Sequence, residues 1–175
     1  MTFSRRQLVA GDEGLFRALR LAGLKTDPEA FGSSYAEEAA YPIERYERML
    51  SNNYVLGVFA GELLAGAAAY YKMSGSSAHR GYVWGVVVDI EQRGHGAGLM
   101  IMEGLLEHAH HHVQQLHLTV GSQNQAAIKL YSRLGFEIYG TEPRSLFVNG
   151  RYIDEHLMVR FLDRDPVQQQ GTDRK

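Results

Sequence analysis

The chain has 175 residues, 45% of them hydrophobic, with a formal net charge of −2 and no cysteine. That length and apolar content fit one domain with a real core, and the near-neutral charge without a Lys/Arg block argues against a dedicated nucleic-acid binder. The lack of cysteine excludes a disulfide framework and any mechanism that passes a group through an enzyme thiol.

Residues 2–9 read as a first strand and residues 12–24 as an amphipathic helix, with Leu15, Phe16, Leu19 and Ala22 as core candidates. Arg5 and Arg6 with their polar neighbours show neither a signal peptide nor a membrane span, so a cytoplasmic location is expected. Thr26-Asp27-Pro28 breaks the helix. Residues 29–41 are mixed and read as loop with a short turn, and Pro42 suits the first position of a second helix to about Leu50. Residues 54–60, the Gly61-Glu62 turn, residues 63–71 and residues 81–89 form a predicted antiparallel meander, with a Gly/Ser-rich loop over 72–80.

The next stretch is the most informative. Residues 83–88 (Val-Trp-Gly-Val-Val-Val) are β-branched and apolar enough for a buried strand. Residues 92–98 follow as Gln-Arg-Gly-His-Gly-Ala-Gly, and Leu99, Met102, Leu105, Leu106, Ala109 and Val113 then recur at helical spacing. A strand that turns through three glycines into a helix N-terminus exposes N–H groups with no partner inside the helix. With the helix dipole and Arg93 they form a socket for an anion, a phosphate or pyrophosphate. The dinucleotide pattern Gly-x-Gly-x-x-Gly fails because Leu99 stands at the third position, and no Lys-Ser or Lys-Thr pair follows for a Walker-type loop. A βα turn that binds nothing explains the same glycines, so the loop alone leaves both readings open.

Residues 116–120 read as another strand and residues 125–134 as a short helix, with Asn124 as its N-cap and Gly135 just past its end. A strand at 136–140 follows, then a hairpin of 145–148 and 151–161 joined by Asn149-Gly150. The tail, 163–175, is expected to be frayed and flexible, leaving residues 1–162 as a single domain.

Arg93-x-x-Gly96-x-Gly98, followed by Asn124, Ala127, Leu130, Tyr131, Leu134, Gly135 and Phe136, resembles the two signature blocks of the GCN5-related N-acetyltransferase (GNAT) superfamily, over about residues 2–162. The resemblance implies a single-domain α/β (α+β) fold: a central, mostly antiparallel mixed sheet of about seven strands flanked by helices. It implies acetyl-CoA as co-substrate, no metal, and direct transfer of the acetyl group to a primary amine of a small molecule, peptide or protein, with no nucleic-acid or membrane partner. Homodimerisation is a habit of the family. A non-catalytic acyl-CoA sensor or scaffold is the alternative.

On this reading the backbone from Arg93 through Gly94, His95, Gly96, Ala97 and Gly98 cradles the pyrophosphate, where a Cβ would hold phosphate off the N–H groups. The resemblance implies that main-chain N–H groups around Val86, Val87 and Val88 bind the pantetheine arm and polarise the thioester carbonyl. Asn124 and Ala127 fall in the coenzyme site, Asn124 as pantetheine contact, helix cap or both. Tyr131 matches the motif's tyrosine, the acid for the departing thiolate; a phenol of ordinary pKa about 10 can protonate sulfur without itself being ionised. Lys129 and Arg133 either meet the 3′-phosphate or are solvated. For the general base, Glu37, Glu38, Asp89, Glu155, His156 and water stay open. Tyr152, Asp154 and His156 share one strand face that either lines the acceptor pocket or faces solvent. The cluster His108, His110, His111 and His112 lacks carboxylate or Cys partners at ligand spacing, so no physiological metal is expected there.

Overall fold

The structure, a computed structural model, describes residues 2–163; the expectation for the tail beyond them lies outside the described residues. Seven strands form one sheet in the order β1-β2-β3-β4-β5-β7-β6. They are β1 (Ser4–Gln7), β2 (Tyr54–Ala60), β3 (Leu63–Lys72), β4 (Arg80–Val88), β5 (Gln115–Gly121), β6 (Glu137–Val148) and β7 (Arg151–Phe161). Every neighbouring pair is antiparallel except β4–β5, which is parallel. Five helices flank the sheet: α1 (Glu13–Thr26), α2 (Tyr35–Ala39), α3 (Ile43–Asn52), α4 (Ala97–His110) and α5 (Gln125–Arg133). The predicted mixed, mostly antiparallel seven-stranded architecture is the one observed. Among the described residues no helix is long and apolar enough to cross a membrane.

Two cores lie on the two sides of the sheet. Phe16, Leu19 and Leu24 of α1, with Tyr46 and Leu50 of α3, pack with Val55, Ala67, Ala69 and Val87. Ile101, Met102, Leu105, Leu106 and Ala109 of α4 pack with Val58, Ala68, Val83, Leu116 and Leu118. On α1 the buried stripe is Phe16, Leu19, Arg20, Gly23 and Leu24, whereas Leu15 and Ala22 face solvent. The sequence expectation for those two is therefore corrected: residues 15 and 22 lie off the 3.6-residue stripe, and a buried arginine completes it. Pro42 caps α3 from outside, and the helix begins at Ile43.

β4 carries a bulge that matters for the site. Its register against β3 runs Ala69↔Trp84 and then Ala67↔Val87, one extra residue on the β4 side. Trp84 and Val87 pack on the α1 side, while Val83, Val86 and Val88 pack on the α4 side. Strict alternation therefore breaks between 84 and 86, with Gly85 at φ +64° as the inserted residue.

The predicted break between residues 140 and 145 is absent. β6 runs unbroken to Val148, with register shifts at Ile138/Gly140 and Glu142/Leu146. It is an edge strand, where Pro143 removes no needed ladder bond, and the Arg144 N–H donates to Asp154 Oδ1 at 2.8 Å. Asn149 and Gly150, both at positive φ, make the expected tight turn into β7.

Candidate active site

β4 and β5 pair only over Arg80–Gln115, Gly81–Leu116 and Tyr82–His117. Beyond that point they diverge and open a cavity of about 740 Å³, walled by Val83–Val88 on one side and Leu118–Gly121 on the other. The Asp89 N–H donates to Ala65 O on the β3 side, at 2.9 Å. Alternation along the strand then turns the N–H groups of Val88 and Val86 toward the opened edge and that of Val87 toward β3. Of the three predicted main-chain donors, two thus face the wedge; Val87 lines it without aiming its N–H there.

The glycine turn closes the wide end. Gly96, at φ +91°, is the N-cap of α4 and supplies no side-chain cap. The first helical bond runs from Met100 N–H to Gly96 O at 3.0 Å, so the N–H groups of Ala97, Gly98 and Leu99 precede any intrahelical partner. A Cβ built on Gly94 or Gly96 meets nothing within 4 Å; the space above the loop is open. Gln92, Arg93, Gly94, Gly96, Ala97 and Gly98 line the cavity, and Gln92 Oε1 is buried there without a hydrogen-bond partner among the described residues. A cradle of free donors, open space and one orphaned acceptor fits a pyrophosphate followed by an amide-bearing arm. His95 is exposed and does not line the cavity.

α5 forms the opposite lip. Asn124 caps it, its side chain accepting from the Ala127 N–H at 3.2 Å, and Gly135 ends it at φ +82°. Asn124, Ala127, Leu130 and Tyr131 line the cavity. Tyr131 is 6% exposed, its ring edge-on to Phe136 at 6.0 Å. Burial pushes its phenol well above the ordinary value, so the group holds its proton throughout the neutral range. Lys129 and Arg133 are exposed and outside the cavity lining.

The α1 side of the cavity is built by α1, α2 and the segment between them. Arg20 (4% exposed) and Glu38 (2%) form a buried pair: Arg20 Nε donates to Glu38 Oε2 at 2.8 Å and Nη2 donates to Oε1. Ser33 Oγ donates to the same carboxylate. Burial alone would raise the Glu38 carboxyl, but the hydrogen bonds and charge of Arg20, with Ser33, outweigh it and hold it below the ordinary range. Its folded-state pKa is therefore depressed, and the stabilisation is complete above about pH 4.3, the unfolded value, and lost as pH falls through the folded value. Glu38→Gln should accordingly flatten the acid limb of a urea-stability profile, while Glu38→Ala, which leaves Arg20 buried and unpaired, should cost about 3–5 kcal/mol at pH 7.

A family model described as the Acetyltransferase (GNAT) family matches residues 22–136. The chain belongs to this family. An L-methionine sulfoximine/L-methionine sulfone acetyltransferase of Pseudomonas aeruginosa is 40% identical over 108 residues, covering 59% of this chain and 61% of that one; the match thus spans about three fifths of that relative. The structure of an acetyltransferase of the GNAT family from Streptococcus pneumoniae superposes with a TM-score of 0.81 at 26% identity, covering 91% of this chain and 99% of that one. The Salmonella typhimurium protein yncA, whose structure contains acetyl-CoA, superposes at 0.77 with 20% identity, covering 94% and 96%.

Within this GNAT chain the Arg93 side chain turns away from the loop's open space. It is paired with Asp27, and its Nε donates to Val88 O at 3.2 Å. The hydrogen bond and charge of Arg93 hold the Asp27 carboxyl below its usual value against the opposing effect of burial. Of the general-base candidates only Glu38 and Glu155 line the cavity. Glu37 accepts from the Tyr41 hydroxyl, Asp89 caps the short turn Ile90–Gln92, and His156 bonds to Thr141. On β7 the cavity is reached by Glu155, half-buried and accepting from Ser145 Oγ at 2.5 Å, not by the Tyr152/Asp154/His156 face, which is the opposite side of the strand.

His108 sits in an aromatic stack rather than a ligand set. Its ring lies on Tyr54 at 3.5 Å and on His112 at 4.1 Å, and its Nδ1 bonds the Tyr70 hydroxyl at 2.8 Å. Among the described residues no group of three His, Cys, Asp or Glu is placed to hold a metal ion. Sequence reasoning missed Arg20, Tyr41, Met49 and Trp84, all lining the cavity. The one available signal was Arg20, a charge four residues from Phe16 and from Leu24 on an apolar stripe.

Proposed function

We propose that this chain is an acetyl-CoA-dependent N-acetyltransferase acting on the primary amine of a small molecule, with amino acids as the favoured class. The observation that carries the reading is the opened β4–β5 wedge, with a glycine cradle at one end, a buried tyrosine on its lip and a carboxylate-bearing pocket on its α1 side. The P. aeruginosa relative, named for acetylation of amino-acid analogues, supports the acceptor class.

Acetyl-CoA supplies the acetyl group as an activated thioester. The N–H groups from Gly94 to Gly98 hold the pyrophosphate, and those of Val86 and Val88 hydrogen-bond the pantetheine arm and the thioester carbonyl, more strongly as negative charge builds on its oxygen. Glu155 takes the proton of the attacking amine, since Glu38 is committed to Arg20. As the C–S bond breaks, Tyr131 gives its phenolic proton to the sulfur. The deciding experiment is release of free CoA thiol with acetyl-CoA and a panel of amines, with the product mass raised by one acetyl group. Coenzyme binding without turnover on any amine would make the chain a sensor instead.

Two variants probe assigned roles. Glu155→Gln should lower kcat/KM about 10²-fold at pH 7, with the deficit shrinking as rising pH deprotonates the amine directly; a pH-independent deficit would remove Glu155 as base. Asp27→Asn frees Arg93 for the coenzyme phosphates. Because the Arg93–Asp27 pair is about 40% exposed on both sides, the gain should be small, about two- to five-fold tighter CoA binding by calorimetry.

A further inference from the structure

We propose that Arg20 is the anchor for the carboxylate of an α-amino acid acceptor, so that the Arg20–Glu38 pair sets the substrate class. This deepens the acetyltransferase reading and rests on it.

A buried cation needs compensation, and Glu38 supplies only part of it. Guanidinium has five N–H donors; Glu38 engages one on Nε and one on Nη2. Nη1, with two donors, is buried and has no partner among the described residues. Such an orphan in a residue that lines the cavity points to a group arriving from the cavity. The guanidinium is held in place by Phe16, Phe31 and Trp84, whose ring centroids lie 6.0, 5.6 and 5.4 Å away, so little ordering is left to be done on binding.

Position decides the ligand. Nη1 abuts the β4 bulge: a Cβ on Gly85 would lie 2.7 Å from it. The next residue, Val86, turns its N–H to the wedge where the thioester carbonyl is polarised. In an α-amino acid the amine and carboxylate share one carbon, so nitrogen and oxygen sit about 3 Å apart. An amine at the thioester thus brings its carboxylate to Arg20, and the free Nη1 side of the guanidinium suits that planar anion. Phe31, Tyr41, Met49 and Trp84 wall the remaining space for an apolar side chain. Glu38 cancels the excess charge, which disfavours retention of simple anions there.

The test titrates L-methionine sulfone, its primary amide and its decarboxylated amine into the protein with CoA present, and follows thiol release from acetyl-CoA with each. The acid should bind at least 30-fold more tightly than the other two. In Arg20→Met/Glu38→Met, a volume-conserving replacement of the buried pair that keeps the fold, the preference should fall within about three-fold while CoA affinity is unchanged. Glu38→Gln, which leaves the cation less compensated, should increase the preference several-fold. A purely structural pair would make both variants weaken all three ligands alike. Equal binding of acid and amide, no binding of any of the three, or a preference that survives the double variant overturns the proposal. Binding with the expected preference but no thiol release overturns the transferase reading and leaves the anchor standing.

Discussion

Tyr131→Phe should lower turnover at least ten-fold and leave acetyl-CoA affinity within about two-fold. The substitution removes one oxygen and keeps the ring, which is edge-on to Phe136 and part of the α4-side core, so the fold has little to repack. The residue is 6% exposed and lines the cavity, so its donor can serve a ligand atom held there. Burial raises the phenol's pKa, which fixes the direction of its chemistry: it is a proton holder, never a base at neutral pH. A hydrogen bond to charge developing on sulfur contributes about 1.5–3 kcal/mol, or roughly ten- to hundred-fold in rate. Since the departing sulfur is anionic only as the bond breaks, the loss should fall on kcat and kcat/KM together, with coenzyme binding spared. Single-turnover acetyl transfer, measured beside a CoA titration, checks it; an unchanged rate would remove Tyr131 from the mechanism.

The fold was legible where local chemistry and global packing agree. β2 begins and ends where its apolar run and the Gly61-Glu62 turn place it, and α5 has the N-cap and C-terminal glycine that Asn124 and Gly135 announce. The glycine turn was legible because its requirement is a backbone one, and glycine is the residue that meets it. What stayed hidden depends on contacts between distant segments. Glu38 reads as one carboxylate among several until Arg20, eighteen residues earlier, is seen against it. The bulge at Gly85 shows in sequence only as a glycine in a valine run, yet it redirects Val86 to the wedge. The cavity-facing side of β7 depended on where β6 and the α1–α2 segment lie, so alternation alone offered two faces and no means of choosing between Tyr152 and Glu155. Leu15 and Ala22 failed for a simpler reason: the stripe that reached the core contained an arginine, which a count of apolar residues skips.

Gly96→Val should abolish measurable coenzyme binding, a loss of about 10²-fold or more, while lowering stability by no more than about 1–3 kcal/mol. Two independent costs meet at this residue. Its φ of +91° is one that a β-branched side chain rarely adopts, so the variant either pays strain or moves the loop. The side chain would also project into the open space above the turn, since nothing lies within 4 Å of its Cβ position. That emptiness separates the two effects: with no neighbour to clash, the fold feels only the strain, whereas a phosphate brought to the Ala97, Gly98 and Leu99 N–H groups would meet the new methyls directly. Glycines elsewhere in the chain make the opposite case. A Cβ on Gly57 or Gly104 would come within 2.6 Å of packed leucine side chains, so substitution there should harm stability first. Thermal melts and CoA calorimetry on Gly96→Val and Gly104→Val should therefore trade places, binding lost with the fold kept in the first, the fold weakened in the second. If Gly96→Val bound CoA normally, the turn would be a simple βα connection and the cradle would have to lie elsewhere in the wedge.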